Sequence, residues 1–316
     1  MFALIALSTL LPVVTAPMGL AAGLVFALVI GSPLGDRTSR WASQLMKVCI
    51  VGLGFGISFA AVLNAGTTGL LITGIAAASV VATGVLLGAL MGVDRTAARL
   101  ISSGTAICGG SAIAALSPVL KARAESIAVA LAIVFILNAV ALYLFPLLGQ
   151  ALELNQEQFA IWSAIAIHDT ASVVGAASTF GDDALQLATV LKLARALWII
   201  PLVLVFAWWV RRKSAAASSS DLADAPMQWP WFILVFVLAS ASRSLLPSME
   251  ALFDGLALAA RQLLVLTLFL VGAGLSVAAL KTVGMKPLMH GLLLWLLTGG
   301  LTLLFVLGID RPWLLG

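Results

Sequence analysis

Four ionisable side chains lie inside apolar stretches of the sequence, where a charge is costly. His168 and Asp169 are adjacent, and Lys192 and Arg195 are three residues apart, so the two cations share one face of a helix. Each cation costs about 2.5–3.5 kcal/mol at the centre of a membrane-spanning helix. The two cations outnumber the single carboxylate. This surplus predicts a site for a small anion, with Lys192 and Arg195 as its counter-charge.

His168 and Asp169 are candidate coupling residues, because protonation of either side chain would strengthen anion binding. Other interpretations stay open: Asp169 could be a structural partner of a buried cation, and His168 could be an ordinary core histidine. A cation/proton antiporter that uses Asp169 is the alternative function, with Lys192 or Arg195 as a competing internal partner. An intramembrane hydrolase is disfavoured, since adjacent helical residues point about 100° apart and Asp169 could not orient His168.

Two clusters of small and hydroxyl residues predict breaks in membrane helices. The first is Ser103–Ala115, whose three glycines each weaken a helix by about 1 kcal/mol relative to alanine. The second is Ile165–Ala177, which contains His168 and Asp169. Transporters aim half-helix N-termini at anions at such breaks, whereas close packing of small residues is the competing explanation. The predicted substrate-binding residues of the breaks are Thr105, Gly109, Gly110, Ser111, Thr170 and Ser172.

The composition is that of a membrane protein. The 316 residues are 62% hydrophobic and 9% charged, whereas soluble domains contain about 25% charged residues. We therefore predict an all-α polytopic membrane protein with one transmembrane domain over residues 1–316 and the lipid bilayer as its environment. Cys49 and Cys108 lack the spacing of a metal or disulfide framework, and no cofactor or catalytic residue is predicted. The net charge of +4 lies in loops and does not indicate nucleic-acid binding.

The distribution of positive charge predicts the orientation. Suppose that both broken segments are re-entrant. Of the 17 Lys and Arg residues, Arg243, Arg261 and Arg311 then fall on one side, twelve fall on the other, and two lie in the core. If both segments cross instead, the split becomes ten to five. The positive-inside rule favours re-entrant segments and places the basic, then Ser/Ala-rich linker at residues 211–226 in the cytoplasm.

An internal repeat is also visible. Gly54–Val62 resembles Gly272–Leu280, and Gly66 and Gly284 match at the same offset. The charge distribution makes the two copies run in opposite directions, which predicts the inverted repeat of many secondary transporters. Chance similarity in a chain rich in glycine and alanine is the competing explanation. Around the first copy the pattern predicts a span, a turn and a second span, at Val48–Leu63, Asn64–Thr67 and Gly69–Met91.

The segment Gly104–Ala115 resembles a motif of the YeiH-type sulfate exporter family. Ala166–Val174 and Leu191–Arg195 are similar to later motifs of that family, and the likeness covers nearly the whole chain. The resemblance implies a secondary transporter of the bacterial inner membrane that exports sulfate or a sulfonate by alternating access. It also implies a distant relationship to cation/proton antiporters and bile-acid transporters.

Two residues depart from the family pattern: Asp169 stands where Glu is usual, and Ser172 stands where Gln is usual. Both differences shorten a polar side chain beside the predicted site, which bears on the substrate more than on the fold. The sequence leaves open the identity of the anion, proton or sodium coupling, the transport direction and a homodimeric state.

Overall fold

The computed structural model describes residues 2–11, 13–31, 36–215, 231–274 and 284–308. Helices joined by short turns account for nearly all of these residues, and no strand occurs within the described ranges. The predicted all-α class is therefore confirmed.

The described helices follow one another closely along the chain. In order they are α1 (Phe2–Ser8), α2 (Ala16–Val29), α3 (Asp36–Gly54), α4 (Phe59–Leu90), α5 (Arg95–Ala106), α6 (Gly110–Val119), α7 (Ala124–Ala151), α8 (Gln156–Ala166), α9 (Thr170–Phe180), α10 (Asp182–Leu197), α11 (Ile199–Ala215), α12 (Trp231–Leu245), α13 (Glu250–Ala273) and α14 (Met285–Leu307). A short 3₁₀ helix, Pro247–Met249, precedes α13.

Five helical segments of the described chain are long and apolar enough to cross a membrane, and a bent pair formed by α3 and the start of α4 makes a sixth. The five are Gly69–Leu90, Ala124–Ala151, Asp182–Val210, Pro247–Ala273 and Met285–Leu307. Since a full crossing needs about 20 residues, α6 and α9, with 10 and 11 residues, have the length of half-helices. The chain is a multi-pass membrane protein.

The helices pack as two groups, which we call outer and inner. In the outer group (α1, α2, α3, α12 and α13), α13 packs along α2 and α3. A Cβ added at Gly19 of α2 would lie 2.6 Å from the Val265 carbonyl oxygen of α13, so the two backbones approach closely. In the inner group (α4 to α11 and α14), α4 packs against α5 and α10, and α14 packs against α8, α5 and α4. The inner group contains both clusters of small residues.

The chain turns sharply between α3 and α4. The two helix axes differ by 112° at residues 55–58, and Ser58 caps α4 by accepting a hydrogen bond from the Ala61 amide at 3.3 Å. The predicted turn at Asn64–Thr67 is wrong, because these residues lie within α4. Gly54 and Gly56 weaken the helix at the observed turn, and the cap then starts a new helix.

Helix α12 stabilises this turn, which we call the outer break (residues 55–58). Three of its side chains bind freed backbone groups: the Ser240 hydroxyl donates to the Ile57 carbonyl (2.8 Å), Arg243 donates to the Phe55 carbonyl (3.0 Å), and the Ser244 hydroxyl accepts from the Phe59 amide (2.9 Å). Arg243 also forms ion pairs with Asp254 (2.7 Å) and Glu250 (3.3 Å) of α13.

Two predicted features lie partly outside the described residues. The second copy of the repeat, Gly272–Leu280, is described only as far as Gly274, where α13 has just ended. The linker predicted at residues 211–226 is described only as far as Ala215. Its first five residues continue α11.

Candidate functional site

Two helix breaks meet in the inner group. Helix α5 ends at Ala106 and α6 begins at Gly110, while α8 ends at Ala166 and α9 begins at Thr170. A Cβ added at Gly109 would lie 3.6 Å from the Cβ of Asp169 and 3.8 Å from the Cβ of His168. The two breaks predicted from the sequence are therefore in contact, and we refer to them together as the central break (residues 107–109 and 167–169).

Arg195 of α10 binds both helices that end at the central break. The side chain is fully buried, and its guanidinium donates to four carbonyls: Nε to Ala106 (2.5 Å), Nη2 to Thr105 (2.8 Å), Nη1 to Ala164 (2.9 Å), and Nη1 also to Ile165. The last carbonyls of a helix have no partner within that helix, and the planar guanidinium supplies several donors in one fixed arrangement. Arg195 thus joins the C-termini of α5 and α8.

Lys192 extends the same contact. Its buried ammonium donates to the carbonyl of Ile167 at 2.6 Å and to that of Ala164 at 3.3 Å. Among the described residues, no salt bridge links Lys192 or Arg195 to a carboxylate. The negative ends of two helix dipoles, together worth about one elementary charge, face these cations instead. The positive charge that the sequence leaves without a carboxylate is therefore balanced by backbone carbonyls.

Asp169 caps α9. Its Oδ1 accepts a hydrogen bond from the Ala171 amide at 2.7 Å, and its Oδ2 accepts from the amide and the hydroxyl of Ser172 at 3.2 and 2.6 Å. Both carboxylate oxygens are thus used by the first turn of the helix. Two predicted site residues, one for coupling and one for binding, are joined in a single cap.

The N-terminus of α6 has no side-chain cap. Gly109 takes its N-cap position with φ of 60°, a left-handed conformation that favours glycine. The next residues become accessible: Gly110 is partly exposed, Ser111 is exposed, and Thr170 at the start of α9 is partly exposed. The N-terminal side of the central break is therefore open to its surroundings, while the C-terminal side around Arg195 is buried.

Several buried polar atoms near the central break lack a hydrogen-bond partner among the described residues. They are Ser103 Oγ, Thr105 Oγ1, Asn138 Nδ2 and both ring nitrogens of His168. His168 is fully buried, and the Val134 backbone lies beside its ring without a hydrogen bond of acceptable geometry. Buried polar groups without partners are rare in folded proteins and often mark functional positions.

Asn138 of α7 also belongs to the site, although it is not among the site residues predicted from the sequence. Its Oδ1 accepts hydrogen bonds from the backbone amides of His168 at 3.1 Å and Asp169 at 3.3 Å, so it satisfies donors that the second break frees. The signal was an amide side chain in the middle of an apolar span. The sequence allowed two interpretations of Asn138, a bond to backbone freed at a break or the commoner hydrogen bond between helices, and the structure shows the first.

The chain matches known proteins along most of its length. The family model described as conserved hypothetical protein 698 matches residues 5–291, which include both parts of the central break. UPF0324 membrane proteins from three bacteria are among the similar curated proteins. They come from Bacteroides thetaiotaomicron (42% identical, over 93% of this chain and 86% of the relative), Geobacter sulfurreducens (44%, 96% and 93%) and Vibrio parahaemolyticus (44%, 94% and 94%). No solved structure matches the chain significantly.

Proposed function

The chain belongs to the membrane-protein family of conserved hypothetical protein 698, and we propose that it is a secondary transporter that exports a small anion by alternating access. Sulfate or a sulfonate is the proposed cargo, and the bacterial inner membrane is the proposed location. The resemblance of Gly104–Ala115 to the YeiH-type sulfate exporters supports this assignment. Transport rather than catalysis is proposed, since the Ser172 hydroxyl donates to Asp169 and makes no hydrogen bond to His168.

One observation carries the proposal: the N-terminus of α6 is uncapped and accessible where it meets the start of α9. A helix N-terminus presents unpaired amides and about half a positive charge, which suits an anion. Gly110 leaves space beside the backbone, because an added Cβ would meet only Leu131 at 3.6 Å and Phe135 at 3.9 Å. The hydroxyls of Ser111 and Thr170 are the nearby side-chain donors.

Lys192 and Arg195 have an indirect role in this proposal. Their charges are directed at the C-termini of α5 and α8, and Asp169 offsets part of the positive potential at α9. The potential left over is that of the α6 N-terminus. The two cations would thus stabilise the broken backbone and add to the field at the anion without touching it.

For proton coupling, the contacts favour His168 over Asp169. The Asp169 carboxylate already accepts three hydrogen bonds, whereas the imidazole of His168 makes none among the described residues. A positive charge on His168 is opposed first by the full burial of its ring and then by Lys192 and Arg195, which donate to the nearby carbonyls of Ile167 and Ile165. An anion bound at α6 would offset that repulsion, so a proton would enter His168 together with the anion.

The cation/proton antiporter is the second candidate, supported by an acidic residue at a break of an apolar helix. A transported cation would have to compete with the three donors that Asp169 already binds. Within the described residues, no group of three or more His, Cys, Asp or Glu side chains could hold a metal ion. The contacts of Asp169 therefore favour the anion transporter.

The first copy of the repeat supports an inverted-repeat architecture. Gly54–Val62 spans the outer break, and the second copy begins as α13 ends. Helices α3 and α13 end within one residue of equivalent positions in the two copies, as an inverted repeat would produce.

Thermal unfolding of the purified full chain tests the anion site. Choline sulfate and choline methanesulfonate should raise Tm, while choline chloride and sodium chloride at equal ionic strength should not. Gly110→Leu should abolish the shift by filling the space beside the α6 backbone. Gly300→Leu on α14 is the matched control, since an added Cβ there meets nothing within 4 Å. Stabilisation by sodium with any anion would instead support the antiporter.

Sulfate flux into proteoliposomes between about pH 5 and 8 tests the coupling. The parent should show a steep pH dependence, and His168→Gln should flatten it. Asp169→Asn should keep the pH dependence, because in this proposal Asp169 is a helix cap. A profile flattened only by Asp169→Asn would assign the proton to the carboxylate.

A further inference from the structure

Two arginines near one end of the inner group stack on tryptophan rings of α11. The Arg99 guanidinium lies 4.3 Å from the centroid of the Trp209 ring, and that of Arg212 lies 4.7 Å from the Trp208 ring. Stacking orders a guanidinium and leaves its N–H donors at the edge of the plane. Two ordered cations are thus presented by neighbouring residues of α11.

Two further cations lie beside them. A Cβ added at Gly92, in the turn between α4 and α5, would lie 3.8 Å from the Lys286 ammonium at the start of α14. Arg95 follows that turn and is close enough to repel Arg99 electrostatically. We call Arg95, Arg99, Arg212 and Lys286 the basic cluster.

The basic cluster has little negative charge of its own. Asp94 attracts Arg99 electrostatically, and its Oδ1 also caps α5 by accepting from the Thr96 and Ala97 amides at 3.2 and 2.9 Å, so one acid faces the four cations. The ion pairs of the described chain involve Asp182, Glu250 and Asp254, none of which contacts the cluster. Like charges held together in this way favour an anionic partner.

Apolar side chains are exposed on the helices that carry the cluster. On α11, Leu204, Val205 and Trp208 are 57%, 60% and 56% exposed. Leu90 at the end of α4 is 77% exposed, and Met285 at the start of α14 is 71% exposed. In a membrane protein such side chains face hydrocarbon, so the cluster lies where a charged head and an apolar chain can be bound together.

We infer that the basic cluster binds the headgroup of an anionic phospholipid, with the acyl chains along the exposed face of α11. Guanidinium groups bind phosphate oxygens in pairs, and basic pockets between membrane helices on the cytoplasmic side bind anionic headgroups. The positive-inside rule assigns the cluster to that side. This inference does not depend on the transported substrate.

Native mass spectrometry of the full chain tests the inference. The chain is exposed to phosphatidylglycerol, phosphatidylethanolamine and phosphatidylcholine with the same acyl chains. Phosphatidylglycerol should be retained preferentially, and Arg99→Gln/Lys286→Gln should lower its affinity about fivefold for each charge removed. Arg40→Gln/Arg123→Gln is the matched control, because it removes two exposed cations outside the cluster and should leave retention unchanged.

Three results would overturn the inference: equal retention of the three lipids, an equal loss in the matched control, or competition by inorganic phosphate as strong as that by phosphatidylglycerol. Lys286→Gln alone, an exposed single change, serves if the double variant does not fold.

Discussion

In the central break and in the outer break alike, an arginine donates to carbonyls that the interrupted helix leaves without a partner. The two breaks differ in how the charge of that arginine is balanced. Arg195 is fully buried, binds carbonyls of two helices, and has no acidic partner among the described residues. Arg243 has a side chain that is 22% exposed, binds one carbonyl and pairs with Asp254 and Glu250. The outer break is therefore neutralised by its own neighbours, whereas the central break relies on helix ends.

This difference bears on the proposal that the central break is the transport site. A joint that only redirects the chain gains from nearby carboxylates, because they hold its arginine in place. A site that binds and releases an anion through its positive potential would lose affinity if carboxylates paired with the cations that create this potential, and at the central break the carboxylate of Asp169 caps α9 instead. The lack of such a carboxylate beside Arg195 in the described chain fits the proposed transport site, and the acids beside Arg243 fit a structural joint.

The largest expected effect separates the two arginines. Arg195→Met should lower the free energy of unfolding by about 3–5 kcal/mol, because it leaves buried carbonyls without donors. Arg243→Met should cost about 1 kcal/mol, since the freed carbonyl and carboxylates can bind water. Reversible unfolding in mixed detergent micelles measures both values. Equal losses would contradict the comparison.

Gly109→Ala and Gly92→Ala both place alanine at a positive φ, but only the position of Gly109 is also sterically confined. Gly109→Ala should cost about 2–4 kcal/mol, because φ is 60° and the new Cβ would lie 2.9 Å from Val134 Cγ1. Gly92→Ala should cost only about 1 kcal/mol, since φ is 64° there but Lys286 Nζ at 3.8 Å is the sole neighbour within 4 Å. The same unfolding measurement applies. A loss for Gly109→Ala no larger than that for Gly92→Ala would contradict the prediction, because it would mean that the Val134 side chain moves aside without a cost in free energy.

Removing a polar side chain that binds freed backbone groups should lower the free energy of unfolding more at the central break than at the outer break, but with a smaller difference than for the arginines. Asn138→Ala should cost about 2 kcal/mol, because it leaves the buried amides of His168 and Asp169 without an acceptor. Ser240→Ala at the outer break should cost about 1 kcal/mol. Asn138→Asp keeps an acceptor and should recover part of the loss. Unfolding curves for the three variants check the order.

The smallest expected effect is the salt dependence of the ion pair between Arg243 and Asp254. A double-mutant cycle between Arg243 and Asp254 should give a coupling of about 0.2–1 kcal/mol that shrinks when sodium chloride is raised from about 0.1 to 1 M. The destabilisation by Arg195→Met should change little over the same range, because its partners are buried carbonyls. A salt-sensitive Arg195 and a salt-insensitive Arg243 would reverse the comparison.

Composition and residue type were sufficient to predict much of the central break. Glycines and hydroxyl residues in an apolar sequence weaken the helix at the positions where α5 and α8 end, and the spacing of Lys192 and Arg195 placed them on one face. The outer break has the same local signal in Gly54 and Gly56, yet the turn was predicted nine residues too late. Asn64, Gly66 and Thr67 are compatible with either a turn or a helix, and the contacts with α12 decide between them.

The sequence by itself determined the membrane class, the presence of the central break and the residue types available there, because these depend on local composition and helix propensity. Only the tertiary structure decided which group each side chain binds. Arg195 meets Thr105 and Ala106 some 90 residues earlier in the chain, and Asp169 turns to its own helix rather than to a cation. Long side chains have many rotamers, and the packing of α5, α8 and α10 around them selects one, so the partners follow from the fold and not from spacing.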